Sequence, residues 1–344
     1  MRSIVVHAAK DLRIEDQDVG LPGPGQLQIK MAVGGICGSD LHYYNHGGIG
    51  DSIRLKEPMI LGHEVAGHVG AIGEGVSGFV VGDLVAVSPS RPDYTCRQCQ
   101  KGLHNHCENM RFYGSAMPFP HSQGAFSEML VAQAMQCVRA DGLNPGEAAI
   151  AEPLAVCLHA ARRAGDLIGK RVLITGSGPI GTLCILAARA AGASEIVITD
   201  LSDTALEYAR AVGVDSALNM AKNPDALKTY STGKGYFDAM FECSGSPAAL
   251  AGAVSAMAPR SVIMQLGLGG DMKIPVQAMT AKEIDFRGSF RFHEEFATAV
   301  RLMQLGRIDV KPLISHTIPM DQAVDAFELA SDRSKAMKVQ LAFN

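Results

Sequence analysis

One six-residue turn constrains this chain more than any other feature. Gly176-Ser177-Gly178-Pro179-Ile180-Gly181 fits the pattern G-x-G-x-x-G. The apolar run Arg171-Val172-Leu173-Ile174-Thr175 precedes it, and an Ala/Leu-rich stretch from about 179 to 191 follows. Strand, glycine turn and helix in that order make a dinucleotide-binding unit, because each glycine has its own physical task. Gly176 permits the tight turn, Gly178 lets a pyrophosphate reach the backbone, and Gly181 allows close packing of helix on strand. Pro179 suits the first helical turn, where a missing N–H breaks no helical bond, and Ile180 completes the motif. The positive end of that helix then faces the pyrophosphate.

A second strand, Glu195-Ile196-Val197-Ile198-Thr199, ends at Asp200, where a carboxylate accepts hydrogen bonds from an adenosine ribose. The same carboxylate repels a 2′-phosphate, so NAD is expected in preference to NADP. Further strands are read at Phe237–Phe241 and Ser261–Leu266, with an Ala-rich stretch at 248–258 between them. Strands alternating with helices predict a doubly wound α/β part with a parallel sheet. The first ~145 residues have another style, with short alternating runs punctuated by glycine turns. Residues 65–87, including Val80 and Val81, read there as β-structure. After about residue 287 the regular alternation stops, and pattern leaves open which part the tail joins.

Composition narrows the function classes. Lys+Arg number 31 against 35 Asp+Glu, a formal charge of −4, so no nucleic-acid or anionic-membrane partner is expected. The most apolar stretch, Val172 to Ala188, is broken by glycines and Pro179, which excludes a spanning helix there. The first residues lack an apolar run of signal-peptide length, so a cytoplasmic protein is expected. Eight cysteines in that compartment imply thiols or metal ligands rather than disulfides. Cys96, Cys99 and Cys107 crowd into twelve residues. Cys137, Cys157, Cys184 and Cys243 sit among apolar residues and read as small core residues. His121, His293 and His316 lack ligand-like spacing and read as solvent-facing or hydrogen-bonded.

Cys37, His63, Glu64 and Glu152 offer thiolate, imidazole and carboxylate donors that suit one zinc ion. The stretches Gly34-Gly35-Ile36-Cys37-Gly38-Ser39-Asp40-Leu41-His42 and Gly62-His63-Glu64 resemble the zinc-dependent medium-chain dehydrogenases, and the likeness covers nearly the whole chain. It extends to the polyol branch of that family through Ser39–Tyr44, Ile60–Glu64 and Glu152-Pro153-Leu154-Ala155. Met110–Met117, Gly288–Phe292 and Lys338–Leu341 bring it nearest to members that oxidise a sugar acid. The resemblance implies a GroES-like catalytic domain, residues 1–147 with 288–344 returning to it, and an inserted Rossmann NAD-binding domain at 148–287. It implies a small-molecule sugar acid or polyol as substrate and a homo-oligomer, dimer or tetramer.

Carried over by position, Cys37 and His63 are zinc ligands, and Glu64 and Glu152 are two acids of which one binds directly and the other through water. Which is which stays open. Ser39 and His42 match the relay that takes the substrate's hydroxyl proton outward, and Asp40 matches an acid that orients a ligand. In the family's structural zinc lobe, aligned on Cys96, Cys99 and Cys107, the first of four cysteines falls on Asp93. An Asp-Cys₃ site is therefore expected, with His104 or His106 as alternative fourth ligands and a metal-free loop as the plain alternative. A sugar-acid carboxylate calls for a cation, for which Arg111 and Arg291 are candidates, with Glu152 also at the substrate. A protein that binds NAD without catalysis would be expected to have lost Cys37, His63 or the Ser39/His42 pair, and all are present.

Overall fold

The computed structural model describes residues 1–343; Asn344, the last residue of the expected returning tail, lies outside it. Six strands form a wholly parallel sheet in the order Ser216–Asn219, Glu195–Asp200, Arg171–Thr175, Phe237–Glu242, Met257–Gln265, Asp285–Gly288. The chain starts in the middle of this sheet, winds to one edge, returns, and winds to the other. That reversal between Arg171–Thr175 and Phe237–Glu242 leaves a crevice at the strands' carboxyl ends, where ligands of such sheets bind. Alternate residues face opposite sides. Val172, Ile174, Ile196 and Ile198 enter one buried cluster, and Leu173, Val197, Met240 and Ile263 enter another.

A seven-stranded sheet organises the remainder. Its order is Cys137–Arg139, Leu84–Val87, Glu64–Ile72, Gln26–Gly35, Lys338–Ala342, Ile314–Pro319, with Met129–Gln133 also on Gln26–Gly35. Gln340, Leu341 and Ala342 lie opposite Gly35, Gly34 and Val33, so the tail's last strand completes a sheet begun near residue 26. Leu27, Ile29, Tyr43, Val65, Phe126, Phe327 and Phe343 fill the core beneath it. Among the described residues, no helix is long and apolar enough to cross a membrane.

Two local expectations change. Val80 and Val81 are 62% and 65% exposed in a connecting turn, not a strand. Gly78 and Gly82 flank them at positive φ, and the Asp83 carboxylate accepts the Val80 N–H at 2.9 Å, which closes the turn. The Ala-rich 248–258 stretch is helical only over Pro247–Ala253. The short turn Val254–Ala256 follows, and Met257 already pairs with Phe237 in the sheet.

Candidate active site

The glycine turn is built as its sequence requires. Gly176 has a φ of 86°, a conformation that a side chain disfavours. A Cβ on Gly181 would lie 1.8 Å from the Gly176 carbonyl oxygen, whereas one on Gly178 would meet nothing within 4 Å. That space at the start of helix Pro179–Ala190 fits a pyrophosphate. Asp200 closes the turn from the neighbouring strand, its carboxylate accepting the Ser177 N–H at 2.6 Å and the Leu201 and Ser202 N–H groups at 2.7 and 2.9 Å. Helix Asp203–Ala211 is capped instead by Ser202, so Asp200 is not its N-cap.

Cys37, His63 and Glu64 converge, each offering a donor atom within 4.8 Å of the others. Cys37 immediately precedes helix Gly38–His46, and Glu64 begins strand Glu64–Ile72. Fully buried Asp40 ties the two loops. It accepts the Cys37 N–H at 3.0 Å and the Gly62 N–H at 3.2 Å, and lies 3.6 Å from His63 Nδ1. Among the described residues, His63 Nδ1 is buried with no hydrogen-bond partner. The chemistry of this donor set, a thiol, an imidazole and a carboxylate brought together, fits a zinc ion, while His63 Nδ1 is turned to the Asp40 carboxylate. Burial, then the Glu64 charge, pushes the Cys37 thiol up to about 12, so a cation is what would hold it as thiolate. Glu152, in the first turn of helix Ala151–Ala164, is buried beside this trio without joining it. Burial pushes its carboxyl up to about 8, with His63 pulling the other way.

Ser39 Oγ lies 3.5 Å from His63 Nε2, and His42 is exposed one turn further along the same helix. Partial desolvation of the His42 ring, then the nearby His46 and Arg333, lowers its pKa. The second cluster also forms, with Asp93, Cys96, Cys99 and Cys107 offering donors within 4.8 Å of one another. Asp93 accepts the Thr95 and Cys96 N–H groups at 2.9 and 3.0 Å, which turns its loop inward. His104 and His106 do not join this group. They stack on His293 and Phe290.

The two arginine candidates part company. Phe112 is buried with its ring 5.7 Å from that of His63, and the Arg291 guanidinium lies 4.2 Å over the Phe112 ring. Burial lowers the Arg291 pKa to about 10, while Glu152 and Tyr43 oppose the shift. Among the described residues it forms no ion pair. Arg111 precedes Phe112 on a two-residue strand, so its side chain takes the opposite face. It donates to the Pro120 carbonyl at 2.8 Å and is exposed there.

Sequence reasoning missed Lys338 as part of this site. The residue is 4% exposed, and its ammonium donates to Glu64 Oε1 at 2.7 Å and the Ile36 carbonyl at 3.2 Å. Burial opposes that charge, but Glu64, Cys37 and Glu152 together raise its pKa. A lone lysine in a strand carries no signal until its cross-sheet neighbours are known.

These two sites on this pair of sheets define a class. Residues 23–142 match the alcohol dehydrogenase GroES-like domain and residues 179–304 match the zinc-binding dehydrogenase domain. The chain belongs to the zinc-binding dehydrogenases of the medium-chain family. It is 41% identical to the L-idonate 5-dehydrogenase (NAD(P)(+)) of Escherichia coli, over 99% of this chain and 98% of that one. The solved structure of L-idonate 5-dehydrogenase from Escherichia coli superimposes with a TM-score of 0.95 at 40% identity, covering 99% of this chain and 97% of the other. The sorbitol dehydrogenase of Gallus gallus is 35% identical over 98% of this chain and 95% of its own.

Proposed function

We propose that this enzyme oxidises L-idonate at C5 to 5-keto-D-gluconate, reversibly, with NAD as hydride acceptor. One observation carries the choice of a sugar acid: Arg291 is a partly buried guanidinium beside the zinc-site residues and, among the described residues, has no carboxylate paired to it. A guanidinium so placed matches a substrate carboxylate in a bidentate fork. Arg111, turned away, has no part in it. Likeness to an L-idonate dehydrogenase supports the same choice.

Cys37 and His63 hold the catalytic zinc, with Glu64 or Glu152 as third protein ligand. When bound, the metal acidifies an alcohol hydroxyl and the nicotinamide takes up a hydride. Ser39 Oγ accepts the hydroxyl proton and His42, exposed one turn on, delivers it to solvent. Asp40 keeps His63 and Cys37 aimed by its bonds to both loops. Asp200 favours NAD, because no basic residue stands in Leu201–Ala205 to receive a 2′-phosphate. Asp93, Cys96, Cys99 and Cys107 hold a second, structural zinc. We place the catalytic domain at 1–147 with 288–344 and the cofactor domain at 148–287. The chain forms a homo-oligomer, dimer or tetramer, in which copies pair along the open edge strand Asp285–Gly288, where Phe286 is exposed. Eight unpaired cysteines favour a cytoplasmic setting.

The test is NADH formation by the purified protein on L-idonate, D-sorbitol and xylitol. L-idonate should give the highest kcat/KM. Arg291→Ala should lower kcat/KM on idonate by about 100-fold, as losing one partner of a desolvated charge pair costs ~2–5 kcal/mol, and lower sorbitol turnover far less. Wild-type preference for sorbitol or xylitol would replace the sugar acid with a neutral polyol and leave the zinc–NAD chemistry in place.

A further inference from the structure

The lobe carrying Cys96, Cys99 and Cys107 also grips the segment that bears Arg291. Three successive lobe residues touch it. Asn105, 7% exposed, donates from Nδ2 to the Phe290 carbonyl at 2.9 Å. The His106 ring stacks on Phe290 with centroids 5.8 Å apart, and His104 stacks on His293 at 4.2 Å. Residues 290 and 293 are thus held on either side of Arg291.

Arg291 itself has a φ of 54°, in the left-handed region that L side chains rarely adopt. Such a conformation persists where surrounding contacts over-determine it. The Phe290 carbonyl and the Arg291 N–H share one rigid peptide plane. The Asn105 bond fixes that plane, and therefore one side of the φ rotation at Arg291. With the plane fixed, the guanidinium rests between the Phe112 and Phe290 rings, 4.2 and 4.9 Å from their centroids, with Nη2 3.5 Å from Met117 Sδ. Freed to return to negative φ, the side chain would leave from a different direction and lose the Phe112 face.

We propose that Asn105 is a positioning residue for substrate selection, holding the Phe290 carbonyl so that Arg291 is aimed at the carboxylate of a sugar-acid substrate. The proposal rests on the reading of Arg291 given above, and it gives the metal-binding lobe a part in specificity as well as in stability.

Asn105→Ala and the same-sized Asn105→Asp, whose ionised carboxylate cannot donate to a carbonyl, test it in the zinc-loaded enzyme. Zinc content and Tm, measured first, identify a variant in which the lobe has collapsed. In that event the comparison is made with Asn105→Ser, whose hydroxyl stops one bond short of the Phe290 carbonyl and so keeps a polar side chain while losing this bond, and the same result is expected of it. The expected result is a KM for L-idonate about tenfold higher with kcat within about twofold, and KM for NAD unchanged. The effect on idonate should be at least fivefold larger than on sorbitol. Idonate should also raise the Tm of the variant–NADH complex less than that of wild type, a readout independent of turnover. In an Arg291→Ala background, Asn105→Ala should add nothing to the idonate KM. Equal losses on idonate and sorbitol, or a wild-type idonate KM in both variants, overturn the proposal. If Arg291→Ala keeps the idonate preference, the carboxylate reading falls and this one with it. If Arg291→Ala loses the preference while the Asn105 variants keep it, only the positioning role falls.

Discussion

Gly178 and Gly181 stand three residues apart on one turn, and the same substitution should do opposite things to them. A Cβ at Gly181 would strike the Gly176 carbonyl, which is backbone and cannot swing aside. Gly181→Ala should therefore cost ~1–3 kcal/mol or more of stability, read as a fall in the urea midpoint. A Cβ at Gly178 meets open space, so Gly178→Ala should change stability by less than about 0.5 kcal/mol. It should nonetheless weaken NAD binding about tenfold, ~1.4 kcal/mol, in calorimetric titration, since that space is where the pyrophosphate belongs. Undiminished NAD affinity in Gly178→Ala would remove the pyrophosphate from this turn. Asp93 gives a second residue-level case. The Asn109 amide, then the Cys96 and Thr95 N–H groups, holds its carboxyl well below the usual range, so it presents a charged ligand at any ordinary pH. Purified wild type should carry two zinc ions per chain. Asp93→Ala should carry about one and melt at lower temperature, and Asp93→Cys should restore both, as metal analysis beside a thermal scan would register.

At the scale of elements, helix Glu295–Gln304 docks on helix Ala151–Ala164 through a buried carboxylate. Glu295 lies 3.2 Å from His159 Nδ1 and 3.0 Å from Arg162, and accepts the His293 N–H at 3.1 Å. Burial works against its charge, but the bonds to the His159 ring and to the His293 and Glu295 N–H groups prevail and bring its pKa down to about 2. An unfolded glutamate titrates near ~4.3. The folded chain therefore holds its proton less tightly, and the resulting stability is complete above about pH 4.3 and fades as pH falls toward 2. Glu295→Gln should be less stable than wild type by about 1–3 kcal/mol at pH 7, with the gap closing across that window. A gap that stays constant from pH 7 to pH 3 would mean that the contact is one of shape and not of charge. Elements also differ in how far sequence reveals them. Arg171–Thr175, Pro179–Ala190 and Glu195–Asp200 are announced by short-range pattern, because strand, turn and helix each satisfy their own backbone. Val80 and Val81 carry strand propensity but sit in a turn closed by Asp83, so local chemistry overrode preference. The same limit explains the arginines. Guanidinium chemistry nominates Arg111 and Arg291 alike, and only the strand alternation at Phe112 and the φ at Arg291 separate them.

Across the whole molecule, the chain must leave its first sheet, build a second, and come back before its site is complete. The strand Lys338–Ala342 returns beside Gln26–Gly35, and Gly35 in turn faces Glu64 in the register of the sheet. This brings the ammonium of residue 338 onto the carboxylate of residue 64, both almost wholly buried. No pattern within ten or twenty residues could announce that pair. Its charge arithmetic has consequences for the fold. Cys37, Glu64 and Glu152 gather potential negative charge in one dry pocket, and Lys338 is the protein's own cation among them. Removing one member of a buried pair leaves the other charge uncompensated, which costs ~3–5 kcal/mol, whereas replacing both by neutral groups of similar size is often nearly neutral. Lys338→Met should therefore lower the unfolding free energy of the metal-free chain by about that amount in urea denaturation. Glu64→Gln with Lys338→Met should recover most of the loss, giving a coupling energy of at least about 2 kcal/mol in the double-mutant cycle. Strictly additive effects of the two changes would show that the returning strand is held by its Val339, Leu341 and Phe343 packing alone, and that the charge it brings to Glu64 plays no part in holding the chain's two ends together.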